Sequence, residues 1–261
     1  LLIVPFVLQM VSITALVGYL SYRSGQQAIE DLAHQLTTET GHRITEKLDG
    51  YLHTAHQLSE LQTAAIESGA VSLNDLDQLQ RFLIKQHHHM PEIKTLGFGS
   101  VDGTFLTSHR VSQIDFEAGI TSLEPTDVPF EAGRSNPEDH RQFNLYAIDP
   151  SGHLQRPVET IAHLDVHHRP WYQQGVSTRQ PGWTEPFQIG RTNLLTTSAY
   201  TPVFDGADQL LGVFFANISL DQLNQCLAQL TVGQTGELFI LEQNGALIST
   251  AAGHPPYITL I

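Results

Sequence analysis

The fold is indicated first by a hairpin in the second half of the chain, residues 198–223, SAYTPVFDGADQLLGVFFANISLDQL. Two runs rich in apolar, β-branched and aromatic residues flank the Asp- and Gly-containing turn at 205–208. This composition is typical of two strands joined by a short connection. We therefore predict strands over residues 194–204 and 210–218. A short helix is predicted to begin at 219–221, where Ser and Asp precede a new apolar pattern.

Similar hairpins are predicted elsewhere in the chain. Strand-like runs flank the turn Asp102-Gly103 within residues 96–107, and others flank the turn at 149–152. A further pair of runs within 235–250 flanks Asn244-Gly245. Because this last pair resembles the first, we predict a domain duplicated in tandem, with only the start of the second copy present.

The segments between the hairpins complete the pattern. A helix is predicted to open at Ser72 and Asp75, which resemble a capping box. Residues 111–142 lack periodicity and are rich in Glu, Asp, Pro and Gly, so a long irregular surface loop is expected there. Helices and hairpins in this arrangement predict an α+β fold built on antiparallel sheet.

The first twenty residues, LLIVPFVLQMVSITALVGYL, contain no charged side chain. About 20 apolar residues are needed to cross a hydrocarbon core of about 30 Å, so we predict a membrane-spanning helix over residues 1–22. Tyr19 and Tyr22 would lie in an aromatic belt, and Arg23 follows. A signal peptide is disfavoured because no small-x-small cleavage site follows. A buried soluble helix is disfavoured because the stretch is apolar all round.

A long helix is predicted after the apolar stretch, over residues 23–70. Pro is absent from residues 24–68, and apolar residues recur there at heptad spacing. The heptad positions are Ile44, Leu48, Tyr51, Ala55, Leu58 and Ala65. About 45 helical residues span roughly 65–70 Å, more than one compact domain needs. We therefore predict that the helix packs on its own domain at one end and on a second copy elsewhere, which gives a homodimer.

The composition excludes several classes of protein. Lys and Arg number 13 against 27 Asp and Glu, and the resulting net charge of −14 argues against a nucleic-acid partner. The single Cys excludes an internal disulfide framework and a Cys-rich zinc module. The sequence has no GxSxG, P-loop or GxGxxG motif, and its carboxylates single out no acid/base pair. No catalysis is therefore expected in this segment.

The 14 histidines include two groups, residues 87–89 and the set His163, His167 and His168. His163 and His167 are four positions apart, so a helix would place them on one face where a metal could bind. However, no HExxH motif accompanies them, and Pro170 limits any helix through His168. We expect histidines that are solvated or locally hydrogen-bonded, with no metal and no other cofactor.

The order of several segments carries a resemblance to a known family. They are LGFGSVDGTFLTS (96–108), HRPWYQQGV (168–176), WTEPF (183–187), the hairpin quoted above and TGELFILEQNGALIST (235–250). Together with the apolar span and the long helix, they resemble a double Cache (dCache) domain, the extracytoplasmic sensor part of bacterial receptors. The span and its flank, residues 4–33, are similar to sensor proteins of cyanobacteria. The resemblance implies PAS-like antiparallel-sheet lobes with these boundaries: transmembrane helix 1–22, stalk and dimerisation helix 23–70, membrane-distal lobe 71–232 and start of the membrane-proximal lobe 233–261.

The resemblance also implies a ligand pocket in the distal lobe. In the amino-acid-binding branch of the family, the Arg and Trp of an RxWY motif contact a ligand carboxylate, and Arg169, Trp171 and Tyr172 match this motif. Three further pocket positions, where that branch has a Tyr and two acids, fall on Phe187, Ile189 and Asn217. An upstream Tyr of the motif is replaced by Leu164. Without the acids a buried ammonium would lack its charged partner, so a non-amine carboxylate or another small polar ligand is expected.

The same residues have two interpretations that do not depend on the family. An Arg beside two aromatic residues can hold a carboxylate with its planar fork while the rings stack against the ligand. Alternatively, Trp171 and Tyr172 are core residues of a short helix, and Arg169 pairs with an acid such as Asp165.

The predicted function is an extracytoplasmic small-ligand sensing domain of a membrane-bound signal-transduction receptor. We expect the span to lie in the inner membrane, with the residues after 23 in the periplasm. The resemblance implies that the stalk helix passes ligand binding to a cytoplasmic output. That output would be a sensor histidine kinase of a two-component system, an adenylate or diguanylate cyclase, or a chemoreceptor. The alternative is a structural or adhesive ectodomain that binds a protein partner.

Overall fold

The structure is a computed structural model that describes most of the 261 residues. The described residues are 3–117, 121–124, 130–135, 138–139, 142–149, 151–189, 195–228, 239–241 and 247–250. Most of the predicted second lobe, 233–261, and the turn Asn244-Gly245 therefore lie outside the described residues.

The described elements are helices and groups of consecutive strands. The helices are α1 (Ile3–Glu67), α2 (Leu76–His88), α3 (Gln113–Glu117), the 3-10 helix η1 (Val166–His168), α4 (Pro170–Thr178) and α5 (Leu220–Ala228). The strands are β1 (Thr95–Ser100), β2 (Phe105–Arg110), β3 (Phe130–Ser135), β4 (Phe143–Ile148), β5 (Leu154–Ile161), β6 (Gly182–Trp183), β7 (Phe187–Gln188), β8 (Leu195–Phe204), β9 (Leu210–Ser219), β10 (Phe239–Leu241) and β11 (Leu247–Thr250).

The chain divides into two compact units, residues 1–49 with 231–236 and residues 50–230 with 237–261. In the first unit, residues 3–49 are helical and belong to α1. The stretch Ile3–Glu46 contains a window with mean hydropathy 2.0, none of which is buried. By length and composition, one helix near the N-terminus could therefore span a membrane.

The second unit is built on a nine-stranded antiparallel sheet. The strand order is β5-β4-β3-β2-β1-β9-β8-β6, and β7 also pairs with β8. β10 and β11 form a separate two-stranded sheet. The long helix followed by this antiparallel sheet confirms the predicted α+β fold class. The hairpins β1–β2, β4–β5 and β8–β9 also form as predicted.

The two faces of the large sheet are covered by different helices. Because successive side chains in a strand point to opposite faces, Val213 and Phe215 lie on one face and Phe214 on the other. Helix α4 packs on β8 and β9, and the face it covers is called the α4 face here. Helix α2 packs on β1 and β2 on the opposite face, called the α2 face. On the α2 face, Ile84 packs in a buried cluster with Phe130, Ala132 and Ile148.

The prediction of an irregular loop over residues 111–142 is wrong in part. This segment contains α3 and the strand β3, which lies between β2 and β4 in the interior of the sheet. Its sequence FEAGRS does not show the alternation of an ordinary half-buried strand, because Glu131 is buried and Gly133 is required by close packing. A Cβ at Gly133 would lie 2.5 Å from the hydroxyl oxygen of Thr107.

Two details of the helices also differ from expectation. The N-cap of α2 is Asp75, whose carboxylate accepts a hydrogen bond from the backbone N–H of Gln78 at 2.9 Å, and not Ser72. In α1, the heptad residues Ala55 and Leu58 are buried within the chain. These two positions therefore serve the chain's own packing and are not available to a second copy.

Candidate ligand-binding site

The RxWY residues lie at the start of α4. Arg169 is the N-cap residue with an extended backbone (φ −77°, ψ 136°), and Pro170 occupies the first turn, where its missing N–H is not needed. The preceding helix η1 is capped by Asp165, whose carboxylate accepts a hydrogen bond from the backbone N–H of His167 at 3.0 Å. Pro170 thus separates the two short helices, as the restriction on the residue before proline predicts.

Trp171 is packed in the core of the α4 face. Its side chain is 2% exposed, and its ring stacks on Phe215 with centroids 4.1 Å apart and planes 15° apart. Gly99 makes this position possible, since a Cβ there would lie 2.8 Å from Cη2 of the Trp171 ring. The ring therefore fills space directly over β1 and β9, as the core interpretation of this residue requires.

Tyr172 adjoins Trp171 and is also buried. Its hydroxyl donates a hydrogen bond of 3.4 Å to the carbonyl of Ser100. Burial raises the pKa of Tyr172, and the negative charges of Asp102 and Asp165 raise this pKa further. The phenol therefore remains neutral and able to donate a hydrogen bond near neutral pH.

Arg169 is a half-buried cation without an acidic partner among the described residues. Burial lowers the pKa of its guanidinium, and no neighbouring acid counteracts this effect. The predicted pair with Asp165 does not form. The carboxylate of Asp165 instead accepts from the backbone N–H of His167 and lies 3.0 Å from the Nδ1 of His168. A desolvated cation in this situation gains from any anion that comes within hydrogen-bond distance.

The remaining predicted site residues lie on β7, just after it, and on β9. Phe187 is partly buried and packs on the aromatic cluster that contains Trp171. Ile189 follows β7 and is partly exposed. Asn217 is buried on β9, and its side-chain oxygen accepts a hydrogen bond from the hydroxyl of Ser198. The structure thus gathers Trp171, Tyr172 and Phe187 into one cluster.

A buried row of polar side chains, called the polar row here, crosses the α4 face beside this cluster. Its members are Glu131, His109, Thr95, Asn217 and Ser198, all of them buried. They are register partners on five adjacent strands, β3, β2, β1, β9 and β8. Phe215 and Gly97 pair with each other two positions away from the Asn217–Thr95 pair. They lie in the apolar part of the same face.

Hydrogen bonds along the polar row satisfy most of its members. The hydroxyl oxygen of Thr95 and Nδ1 of His109 are 2.8 Å apart, and Thr121 donates to the Glu131 carboxylate at 2.7 Å. Burial raises the pKa of Glu131. His109, Thr95 and Glu131 were not predicted as site residues, since their local signal was only polar residues at alternate positions in strands, and one of these strands was not predicted.

Lys94 and Asp115 form a buried ion pair at the end of β1 and β2. Their side chains are 8% and 1% exposed. Burial by itself would raise the pKa of Asp115, but the nearby His109 and Lys94 outweigh it and hold this pKa well below its usual range. Burial lowers the pKa of Lys94, and the charge of Asp115 opposes that shift. Neither residue was singled out from the sequence.

The histidine groups have local roles. His87 is buried, with Nε2 2.9 Å from the carbonyl of Ile93 and Nδ1 2.9 Å from the hydroxyl of Ser108. Burial lowers the pKa of His87 to about 3. His163 has a positive φ of 61° and lies in a turn, so it does not share a helix face with His167. Within the described part of the chain, no three His, Cys, Asp or Glu residues are grouped as metal ligands.

A surface cleft of about 220 Å³ lies elsewhere, beside α2 and the β4–β5 hairpin. It is lined by Asp77, Gln80, Arg81, Gly152, His153 and Leu154. None of the predicted site residues lines this cleft.

Comparison with curated proteins finds a similar bacterial receptor. The methyl-accepting chemotaxis protein McpA of Pseudomonas putida is 32% identical over 96 residues. That alignment covers 36% of this chain and 15% of the length of McpA.

Comparison with solved structures finds the ligand-binding domain of the Campylobacter jejuni chemoreceptor Tlp3. The complex with L-valine has a TM-score of 0.51 at 10% identity and covers 87% of this chain and 72% of that one. The complex with L-norvaline has a TM-score of 0.50 at 10% identity, with coverages of 87% and 70%. At this identity the likeness concerns the fold. A family model described as a Cache domain matches residues 21–260, and the chain therefore belongs to the Cache domain family, in its double-Cache form.

Proposed function

We propose that this chain is the ligand-sensing part of a membrane-bound signal-transduction receptor, and that the residues at the start of α4 bind a small molecule through its carboxylate. The observation that carries the proposal is Arg169, a half-buried guanidinium with no acidic partner among the described residues. Burial of an uncompensated charge is costly, and a bidentate carboxylate would offset that cost.

The residues around Arg169 support a ligand of this kind. Trp171 and Tyr172 follow Arg169 closely in sequence and belong to one aromatic cluster, and the neutral phenol of Tyr172 can donate a hydrogen bond. Phe187, Ile189 and Asn217 complete the proposed site at the positions named from the sequence. The Tlp3 domains that share this fold have been solved with amino acids such as L-valine.

The ligand is proposed to lack an ammonium group. Ile189 cannot compensate a positive charge, and the Asn217 side-chain oxygen already accepts a hydrogen bond from Ser198. The Asn217 side chain carries no charge that could pair with an ammonium, and its amide nitrogen is a donor. It favours a hydroxyl, carbonyl or carboxylate oxygen over an ammonium.

The wider arrangement follows from the family and from α1. Residues 1–22 would anchor the chain in the inner membrane, residues 23–70 would form the stalk, and residues 71–232 and 233–261 would form the distal lobe and the start of the proximal lobe in the periplasm. Apolar side chains remain exposed in the first unit at Ile29, Leu32 and Leu36, which are 70%, 58% and 61% exposed. They would provide the contact for a homodimer.

The output of the receptor is proposed to be a sensor histidine kinase, with a nucleotide cyclase or a chemoreceptor as the alternatives. The ligand would shift the signalling equilibrium only by its difference in affinity between the two states.

The test is a thermal-shift screen of the chain in detergent micelles. Amino acids would be compared with their 2-hydroxy and deaminated analogues, for example L-valine with 2-hydroxy-3-methylbutanoate. A ligand at about 100 times its dissociation constant adds about 2.7 kcal/mol, which corresponds to an increase in Tm of roughly 5–10 °C.

The matched variants are Arg169→Gln and Arg156→Gln. Both remove one guanidinium, but Arg156 is exposed on β5, so its loss should leave the shift intact while Arg169→Gln abolishes it. A ligand that still stabilises the Arg169→Gln chain to the wild-type extent would show that this arginine does not bind it. Stabilisation by amino acids alone would refute the absence of an ammonium group.

A further inference from the structure

A carboxylate of the chain itself occupies a cationic site next to His109 of the polar row. We propose that Lys94 and His109 form a second anion-binding site, specific for a carboxylate, which Asp115 fills in this structure as an internal ligand. A carboxylate from solution would enter this site in competition with Asp115. The inference uses none of the contacts of Arg169 and stands independently of the proposed function.

The donors around Asp115 converge on one carboxylate oxygen. Oδ2 accepts hydrogen bonds from Nζ of Lys94, the hydroxyl of Ser112 and the backbone N–H of Ser112, the last at 2.8 Å. Nε2 of His109 lies 3.5 Å from the same oxygen. The geometry is that of an anion site built for oxygen.

His109 provides an independent sign that the site is not filled completely. Its side chain is 9% exposed, and Nδ1 lies within hydrogen-bond distance of the Thr95 hydroxyl. Nε2 is buried and has no hydrogen-bond partner. A distance of 3.5 Å to Asp115 is too long for a good hydrogen bond, so a buried polar atom is left unsatisfied. A carboxylate that is not tethered to α3 can approach this nitrogen more closely than Asp115 does.

The parts of the site divide between the sheet and a short segment. His109 belongs to β2 and Lys94 directly precedes β1, so both side chains are carried by the sheet. Asp115 and Ser112 belong to the five-residue helix α3 and the residue before it. Phe116 and Glu117, which follow Asp115 on α3, are exposed, and the described contacts of Asp115 itself are polar. An anion from solution can make the same polar contacts.

The charges of the site select the class of ligand. If α3 leaves with Asp115, the sheet retains a lysine ammonium, an imidazole and the Thr95 hydroxyl. Asp221 lies near Lys94 and Glu131 lies beside His109, and burial raises the pKa of both acids, which favours their neutral forms. The remaining donors therefore attract an anion. Two donors on neighbouring strands suit the two oxygens of a carboxylate.

The experiment uses the whole chain in detergent micelles, with sodium acetate as the probe and sodium chloride at equal ionic strength as the reference. In the Asp115→Ala chain, acetate supplies the carboxylate that the substitution removes. It should raise Tm saturably by about 5 °C or more over chloride. The double variant Lys94→Met with Asp115→Ala should lose this effect. Asp77→Ala, which breaks the exposed ion pair with Arg134, should show no difference between the two salts.

A second measurement uses the wild-type chain and does not depend on the folding of a variant. The backbone N–H of Ser112 is protected by its hydrogen bond to Asp115, so displacement of Asp115 should expose it to hydrogen exchange. Exchange at this amide should be about threefold or more faster in about 0.5 M acetate than in chloride. Equal effects of acetate and chloride on the Asp115→Ala chain would overturn the anion site. Equal exchange rates in the wild type would overturn the competition and make Asp115 a fixed structural residue.

Discussion

Acidification should destabilise the lobe through one histidine, His87. Its imidazole is fully buried between α2 and the sheet, and burial lowers its pKa from 6.5 to about 3. The neutral ring donates from Nε2 to the carbonyl of Ile93 and accepts at Nδ1 from the hydroxyl of Ser108. In the unfolded chain the same ring titrates near its ordinary pKa. Between these two values, therefore, only the unfolded state takes up the proton.

The sign and the size of the effect follow from proton linkage. The stabilising contribution is complete above the unfolded pKa of 6.5 and is lost as the pH falls towards the folded value of about 3. Between about pH 7.5 and about pH 5 the loss amounts to about 2 kcal/mol, and it approaches about 5 kcal/mol below pH 3.

The assay is urea denaturation at the two pH values, followed by tryptophan fluorescence, since Trp171 is buried in the lobe. The wild type should lose about 2 kcal/mol more between the two pH values than His87→Gln, because the amide does not titrate. His89→Gln removes a surface imidazole near the end of the same helix and should behave as the wild type. If the wild type and His87→Gln lose the same free energy between the two pH values, then burial does not hold this imidazole neutral.

Two packing predictions can be tested by the same denaturation assay. Gly99→Ala should lower the free energy of unfolding by about 1–3 kcal/mol, because the new methyl would lie 2.5 Å from Cγ2 of Val166 and 2.8 Å from the Trp171 ring. Gly206→Ala, where an added Cβ would have no neighbouring atom within 4 Å, should change it little. Equal effects of the two substitutions would contradict the close packing of Val166 and Trp171 on β1. Leu58→Ala should cost about 2–5 kcal/mol because Leu58 is 1% exposed, whereas Leu61→Ala, at a position 55% exposed, should stay within about 0.5 kcal/mol. A small effect of Leu58→Ala would mean that this end of α1 does not belong to the lobe.

The division of the α4 face relates the two proposed sites. The apolar part is covered by α4, and glycines such as Gly99 let its aromatic rings approach the strands closely. The polar row lies beside it, and α3 supplies Asp115 next to His109 of that row. One sheet face therefore presents two chemically different surfaces, one apolar and one polar.

The sequence by itself determined the elements whose signals are local. The hairpins were predictable because Asp-Gly turns and apolar β-branched runs set strand and turn within about a dozen residues. The membrane-spanning potential of the first helix follows from apolar length alone. The start of α4 was predictable from Pro170, and the positions of Arg169 and Trp171 within it came from a motif.

Only the tertiary structure decided which polar residues meet. Thr95 lies beside His109 and Asn217 because β1 pairs with both β2 and β9, and no local pattern encodes the register of strands so distant in sequence. Strand β3 was not predicted because Glu131 is a polar residue at a position that proves to be buried. Its carboxylate is satisfied by a hydrogen bond from Thr121, which lies outside the strand. The structure likewise shows that Lys94 is paired with Asp115, whereas Arg169 has no acidic partner among the described residues. Desolvation and pairing are properties of the packed chain, and the order of the residues does not contain them.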